Sequence, residues 1–354
     1  MAEMTQDSVV DELDLSIVDC LQIHPRASWT LIGEALGVDP VTVTRRWQRL
    51  SGDGTAWVTA RAAGSGAPDS CLAVIELTCR AKRIEAIAQQ VSALPYVLSL
   101  EHVSGPRALT LLVEVRNLAF LSGFLLGALG AIPGVVATQS HTITKVHMTG
   151  DIWPHRVLDA RQRAVMLRVH QARSLQARTD SPGATRPYDA TDRGIILALG
   201  EDGRMPVATL ASRLAASESL VRRRLNDLVR HGRVVLRCDM SLPASGWPVI
   251  MWIWVHLPAD PAAVGTVLHE VKELRVCFQI TGSSATHLLA LAAHSLVELT
   301  ALESRLAAAA PGMTVIDRSI VLRSIKRMGR VLDESGRSIV VVPMDIWAPA
   351  APSL

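Results

Sequence analysis

The sequence predicts an α+β protein of two tandem units, each a winged helix-turn-helix followed by a ferredoxin-like βαββαβ module. Three observations predict it. Leu13–Ala60 overlays Thr191–Cys238 without a gap, so the chain repeats itself. Each copy opens on apolar residues at helical spacing and passes a glycine, Gly54 or Gly232, into β-prone runs. After each, the order strand, helix, strand, strand, helix, strand recurs.

The repeat is an ordered series. Asp14 meets Asp192, Ile17 meets Ile195, Leu21 meets Leu199, Arg26 meets Arg204, and Arg45-Arg46 meets Arg223-Arg224. Further on, Gly105 corresponds to Gly282 and Pro133-Gly134 to Pro311-Gly312, and Asp151-Ile152-Trp153 is echoed by Asp345-Ile346-Trp347. The expected divisions are 10–62 and 188–240 for the helical modules, and 68–150 and 245–330 for the βαββαβ modules. A linker at 151–187 and an extension at 331–354 complete the chain.

In the first helical module Leu13, Ile17 and Leu21 share a helix face. Ser28 suits the N-cap of a second helix ending at Gly37, and Asp39-Pro40 opens a third. In that third helix Val43, Trp47 and Leu50 face inward, while Thr42, Arg45, Arg46 and Arg49 share the outer face, with Thr44 beside them. The second copy has Ser217 as N-cap, Val221, Leu225 and Leu228 inward, and Leu220, Arg223 and Arg224 outward beside Arg222. A basic stripe on the second helix of a tight helix pair suits a DNA major groove, where arginine pairs guanine bidentately and hydroxyls hold phosphate. The plain alternative is a solvated face.

The βαββαβ modules read as strands at Leu72–Thr78, Val97–Val103, Ala108–Val115 and about Val135–His147, with helices at Ala81–Ser92 and from Asn117. The second copy has strands Val249–His256, Val276–Thr281, His287–Ala293 and Met313–Arg323, and helices Ala262–Leu274 and Leu296–Ala309. Each sheet would keep one bare face, and the economical cover is the same module of the other half. The segment Leu118–Ala137 is nearly uncharged and about a membrane span long, but its glycines and Pro133 favour a buried helix. Since its counterpart carries Glu298 and Glu303, the first copy's helix is expected to be covered by the linker or another chain, with Phe124 and Leu125 in that surface.

Composition excludes several classes. Of 354 residues, 49% are hydrophobic and 19% charged, a globular balance; a net charge of only +3 leaves nucleic-acid binding to local clusters. Five scattered cysteines without a C-x-x-C pair argue against a metal site or disulfide framework, and the polar start lacks a secretory signal. A cytoplasmic protein is expected, without cofactor or metal. There is no clustered acid/base set and no glycine-rich phosphate loop, so no catalytic residue is assigned.

The run Leu13–Leu50 resembles the helix-turn-helix of Lrp/AsnC (feast/famine) transcription regulators, and Asp192–Leu228 matches nearly as well. The resemblance implies a sequence-specific regulator of double-stranded DNA in tandem-duplicated form, a covalent pseudo-dimer open to further oligomerisation. It also implies modulation by a small-molecule effector, an amino acid or related metabolite. By the resemblance the effector site includes Gly105, Pro106 and Arg107 in one half and Gly282, Ser283 and Ser284 in the other; the plain alternative is that both glycines only make turns. The family often has an acidic residue three after that glycine, where both copies have alanine, Ala108 and Ala285. Two other functions share this domain plan: a siroheme-decarboxylase-like enzyme, whose arginine-, histidine- and tyrosine-rich stretch near the second and third strands is not matched here, and a ligand sensor without DNA binding.

Overall fold

The computed structural model describes residues 10–63, 70–150, 157–168, 187–258 and 261–349. Three helices open the chain: α1 (Glu12–Ile23), α2 (Trp29–Leu36) and α3 (Pro40–Gly52). Asp11 and Asp14 cap each other's backbone at the start of α1, Ser28 caps α2, and Asp39 with Pro40 starts α3. The turn between α2 and α3 needs Gly37 in the left-handed region, at φ +70°. Strand β1 (Ala56–Ala62) follows.

The first sheet module is β2 (Cys71–Cys79), α4 (Ile84–Ser92), β3 (Val97–Val103), β4 (Leu109–Val115), α5 (Leu118–Gly123) and β5 (Val135–Met148). Helix α5 continues as a wide π turn over Phe124–Leu129. Leu158, just before helix α6 (described over residues 160–168), and Met166 within it lie on the first helical core, and Asp19 accepts from the Val157 and Leu158 amides. The linker composition at Thr179–Thr185 and the Asp151-Ile152-Trp153 echo lie outside the described residues. The second copy gives α7 (Ala190–Glu201), α8 (Val207–Arg213), α9 (Glu218–Arg230) and β6 (Val234–Met240). It continues with β7 (Val249–His256), α10 (Pro261–Glu270), β8 (Leu274–Ile280), β9 (His287–Ala293), α11 (Glu298–Ala309) and β10 (Thr314–Arg327).

Within each module the strands follow the order β5-β2-β4-β3 or β10-β7-β9-β8, the ferredoxin-like arrangement, with apolar cores between sheet and helices. The two sheets face one another as expected, but they also join. The first half of β5 pairs β2, and its second half pairs β8 of the other module. In the same way β10 pairs β7 and then β3, so eight strands close into a ring. Closure removes the free edges that two separate sheets would leave.

The helical modules differ from expectation in one respect. The wing is not built within a module: β1 and β6 pair with each other, antiparallel, from Ala56↔Met240 to Ala62↔Val234. Each strand also fills the other copy's core, Cys238 and Met240 lying against α1 and Ala60 and Ala62 against α7. The register puts Thr59 opposite Arg237, its own repeat counterpart, so a pseudo-two-fold axis passes through that pair. Arg26 donates to the Gly203 and Met205 carbonyls at 2.6 and 3.0 Å, and Arg204 to those of Pro25 and Ala27 at 2.7 and 2.8 Å. The two heads are thus clamped by reciprocal contacts, as in an isologous dimer.

Three further details add to or differ from what the sequence predicts. The extension after Gly329 adds a hairpin, β11 (Arg330–Leu332) and β12 (Ser338–Val341), to the edge of β10, because Met328 and Gly329 turn the chain back at φ 44° and 80°. Helix α10 ends at Glu270, so β8 begins at Leu274. Phe124 and Leu129 belong to the first module's own core, and the outer face of α5 and its π turn leaves Leu118 63% and Leu126 81% exposed. Among the described residues no helix is long and apolar enough to cross a membrane, and all five cysteines are free thiols.

Candidate functional site

The outward surface of α3 is decided by a buried carboxylate. Asp14 is fully buried at the start of α1, and a bare charge there would be costly. Arg46 turns back to Asp11 and Asp14, and Arg49 turns to Asp14. Burial pushes the Asp11 carboxyl up, but the Arg46 contact outweighs it and holds the group below its usual range. The expected outer face Thr42, Arg45, Arg46, Arg49 is therefore split. Arg45 stays exposed with Thr42 partly so, beside Val41 (74% exposed) and Gln48, while the Thr44 hydroxyl donates to the Pro40 carbonyl.

The second head repeats the split with different residues. Asp192 is buried; Arg224 approaches Asp189 at 2.9 Å and Asp192 at 3.9 Å. Asp227 stands where α3 has Arg49, and Arg233 from the following turn supplies the missing cation at 3.6 Å. Arg233 in turn lies over the Tyr188 ring, 4.2 Å from its centroid. Arg222 and Arg223 remain exposed beside Asn226, with Leu220 half-buried. Sequence periodicity missed Val41, Gln48 and Asn226 as surface groups; their exposure was visible as the positions between the apolar ones, but only arginine attracts notice there.

The predicted effector loops join β3 to β4 and β8 to β9. Gly105 and Gly282 both adopt left-handed φ, +97° and +93°. A Cβ on Gly282 would lie 2.6 Å from the Ser140 carbonyl oxygen, so the close approach of β5 requires glycine there. Gly105, Pro106, Ser283 and Ser284 are exposed. Arg107 is engaged: it pairs with the buried Glu76 at 2.6 Å and with Asp317, and its guanidinium lies 4.4 Å from the Trp254 ring centroid. The two loops sit on opposite halves of the ring, against β10 and β5 respectively.

Sequence reasoning gave no sign of a third feature. Between the sheets, under the β1–β6 ribbon, lies a cavity of about 120 Å³. Apolar groups including Val74, Leu98, Leu112, Ile250 and Phe278 line it, yet so do Arg61, Arg237, Arg275, Arg327 and Glu101. Arg61 reaches Glu114 at 3.3 Å, Arg237 holds Asp239 in a fork with one arm at 2.6 Å, and Trp252 Nε1 donates to Glu101 at 2.6 Å. Burial, then Arg327, pushes Arg275 down to about 9; burial likewise lowers Arg327 and raises Glu101. Each arginine interrupts a strand's apolar alternation, which is a faint signal in single strands. Among the described residues no group of three or more His, Cys, Asp or Glu is placed to hold a metal ion.

The AsnC-type helix-turn-helix domain matches residues 10–51 and again 189–229, and the Lrp/AsnC ligand binding domain matches 72–151. An uncharacterized HTH-type transcriptional regulator of Pyrococcus furiosus is 29% identical over 147 residues, covering 40% of this chain and 97% of that protein. A counterpart in Pyrococcus abyssi is 32% identical over 110 residues, 31% of this chain and 61% of its own. Among solved structures, the siroheme decarboxylase NirDL superposes with a TM-score of 0.56 at 13% identity, covering 90% of this chain and 93% of its own. That likeness shows a common two-unit fold.

Proposed function

Because the chain is a tandem-duplicated member of the Lrp/AsnC transcription regulators, we propose that it binds a pseudo-palindromic DNA site with both heads of one molecule. It is a DNA-binding regulator modulated by a small-molecule effector. The observation that carries the proposal is the clamped pair of heads, with the β1–β6 ribbon on the axis and Arg45 and Arg223 exposed at equivalent positions. A two-fold arrangement of recognition helices matches half-sites about one helical turn apart. The first head offers Thr42, Arg45 and the apolar Val41 to base edges. The second offers Arg222 and Arg223, with Leu220, and leans on phosphate. Arg46, Arg49 and Arg224 hold the helices in place and touch DNA only secondarily, and Thr44 acts through the Pro40 carbonyl.

The effector is expected at the exposed loops, Gly105-Pro106-Arg107 and Gly282-Ser283-Ser284, where backbone groups and serine hydroxyls are available. Arg107 contributes by position, since its charge is already matched by Glu76 and Asp317. The chain acts in the cytoplasm and carries no catalytic activity of its own in this reading. Gel shift and footprinting on the DNA upstream of its gene, over a salt series, test it. Two unequal protected half-sites and an affinity that falls steeply with salt are expected, the slope following about 0.9 per phosphate neutralised. Weak, sequence-blind binding equal to that of an Arg45→Ala/Arg223→Ala double variant would instead favour a sensor or an enzyme.

A further inference from the structure

The buried arginines between the sheets have no part in DNA contact and lie away from the loops. Burying a guanidinium costs several kcal/mol unless its surroundings compensate it. Arg61 and Arg237 are matched by Glu114 and Asp239. Arg327, whose side chain borders the cavity, is attracted by the Asp239 and Glu101 carboxylates but makes no side-chain hydrogen bond and no close ion pair among the described residues. It stands at the last residue of β10, where the left-handed Met328 begins the tight turn and Met328 itself lines the cavity. A non-glycine residue held at positive φ beside a cation whose carboxylates stand off it is local strain of the kind that clusters at ligand sites.

The polar lining is not duplicated, although the chain is. By the strand registers, Arg327 corresponds to Thr149, Arg275 to Leu98, Arg237 to Thr59 and Glu101 to Phe278. Two equal sites would have kept equal residues. The divergence has gathered cations in one place beside apolar walls.

We propose that this cavity is a ligand site for one small apolar carboxylate per chain, held by Arg327 with Arg275 and Arg237 beside it. Arginine's planar fork matches a carboxylate bidentately, and the anion would relieve the mutual repulsion of the guanidinium groups. The volume, about 120 Å³, is of the order of the ~150 Å³ apolar cavity known to hold benzene. Arg61 and Arg237 come from the two strands that join the DNA-binding heads, so an occupant touches the ribbon that sets how the heads are spaced. The site stands whether or not the loops bind an effector.

Isothermal titration of the full chain with benzoate, and with its uncharged isostere benzamide, tests the site. Benzoate is expected to bind at one per chain, and benzamide at least about tenfold more weakly. Arg327→Leu is expected to weaken benzoate by about tenfold or more, with Tm measured alongside so that loss of binding is told apart from loss of fold. Arg305→Ala, which removes a surface guanidinium on α11, leaves binding as it was. If Arg327→Leu does not fold, Val74→Phe, which fills the cavity, carries the test and should abolish binding. Equal affinity for benzamide, two sites per chain, no heat with millimolar benzoate, or unchanged binding in Arg327→Leu or Val74→Phe overturns the proposal.

Discussion

Asp14 and Asp192 are single buried carboxylates that decide which arginines of each recognition helix reach outward. Arg46→Ala leaves Asp14 with Arg49 alone, so a stability loss of about 1–2 kcal/mol is expected, measured by urea unfolding. Arg45→Ala touches no such network. It should leave the urea midpoint unchanged while weakening specific DNA by about 1–3 kcal/mol, or reducing the salt slope by about one if it contacts phosphate. Ala215 sits at φ 50° where the first copy has Gly37. A Cβ in that region costs about 1–2 kcal/mol, so Ala215→Gly should raise Tm; an unchanged or lower Tm would show the strain is absorbed elsewhere.

Among elements, β10 concentrates the unusual groups. Lys326 is fully buried and donates to the Leu94 carbonyl at 2.8 Å, and burial pushes it down to about 7. Between about 7 and the ordinary 10.5 the unfolded chain holds a proton that the folded chain lacks, so stability rises with pH across that window. Below 7 the penalty is fully present. Lys326→Met is therefore expected to stabilise the protein by about 1–4 kcal/mol at pH 7, with the gain shrinking towards pH 10 in thermal melts. A gain that grows with pH would contradict this origin. Strand β6 has the opposite dependence. Burial raises the Asp239 carboxyl, but Arg237, with Arg327 and Arg275, holds it below its usual range; its contribution is present above the ordinary carboxylate pKa and lost as pH falls through the lowered value.

For the whole molecule, the closed eight-strand ring and the reciprocal Arg26 and Arg204 clamp mean that one chain already contains a complete two-headed body. One chain per two-half-site operator is expected by native mass spectrometry of the DNA complex; two chains per operator would place the functional pair between molecules. The clamp fixes the heads' separation. Arg26→Ala/Arg204→Ala should therefore relax the discrimination against operators whose half-sites are moved by half a turn, read as a smaller affinity ratio between the two spacings.

The sequence by itself determined the repeat, the helix starts at Ser28, Asp39 and Ser217, and the order of helices and strands in each module. Those follow from local periodicity, capping and matched pairs such as Asp14 and Asp192, which any stretch of chain displays. The tertiary structure alone decided the rest. The strands after Gly54 and Gly232 pair across the axis and not into wings, because their partners lie in the other copy. Arg46, Arg49 and Arg224 are drawn inward because Asp14 and Asp192 are buried beneath them, a fact that helical periodicity does not carry. Likewise Arg61, Arg237, Arg275 and Arg327 come from four separate strands, and only the facing of two sheets brings those charges to one cavity.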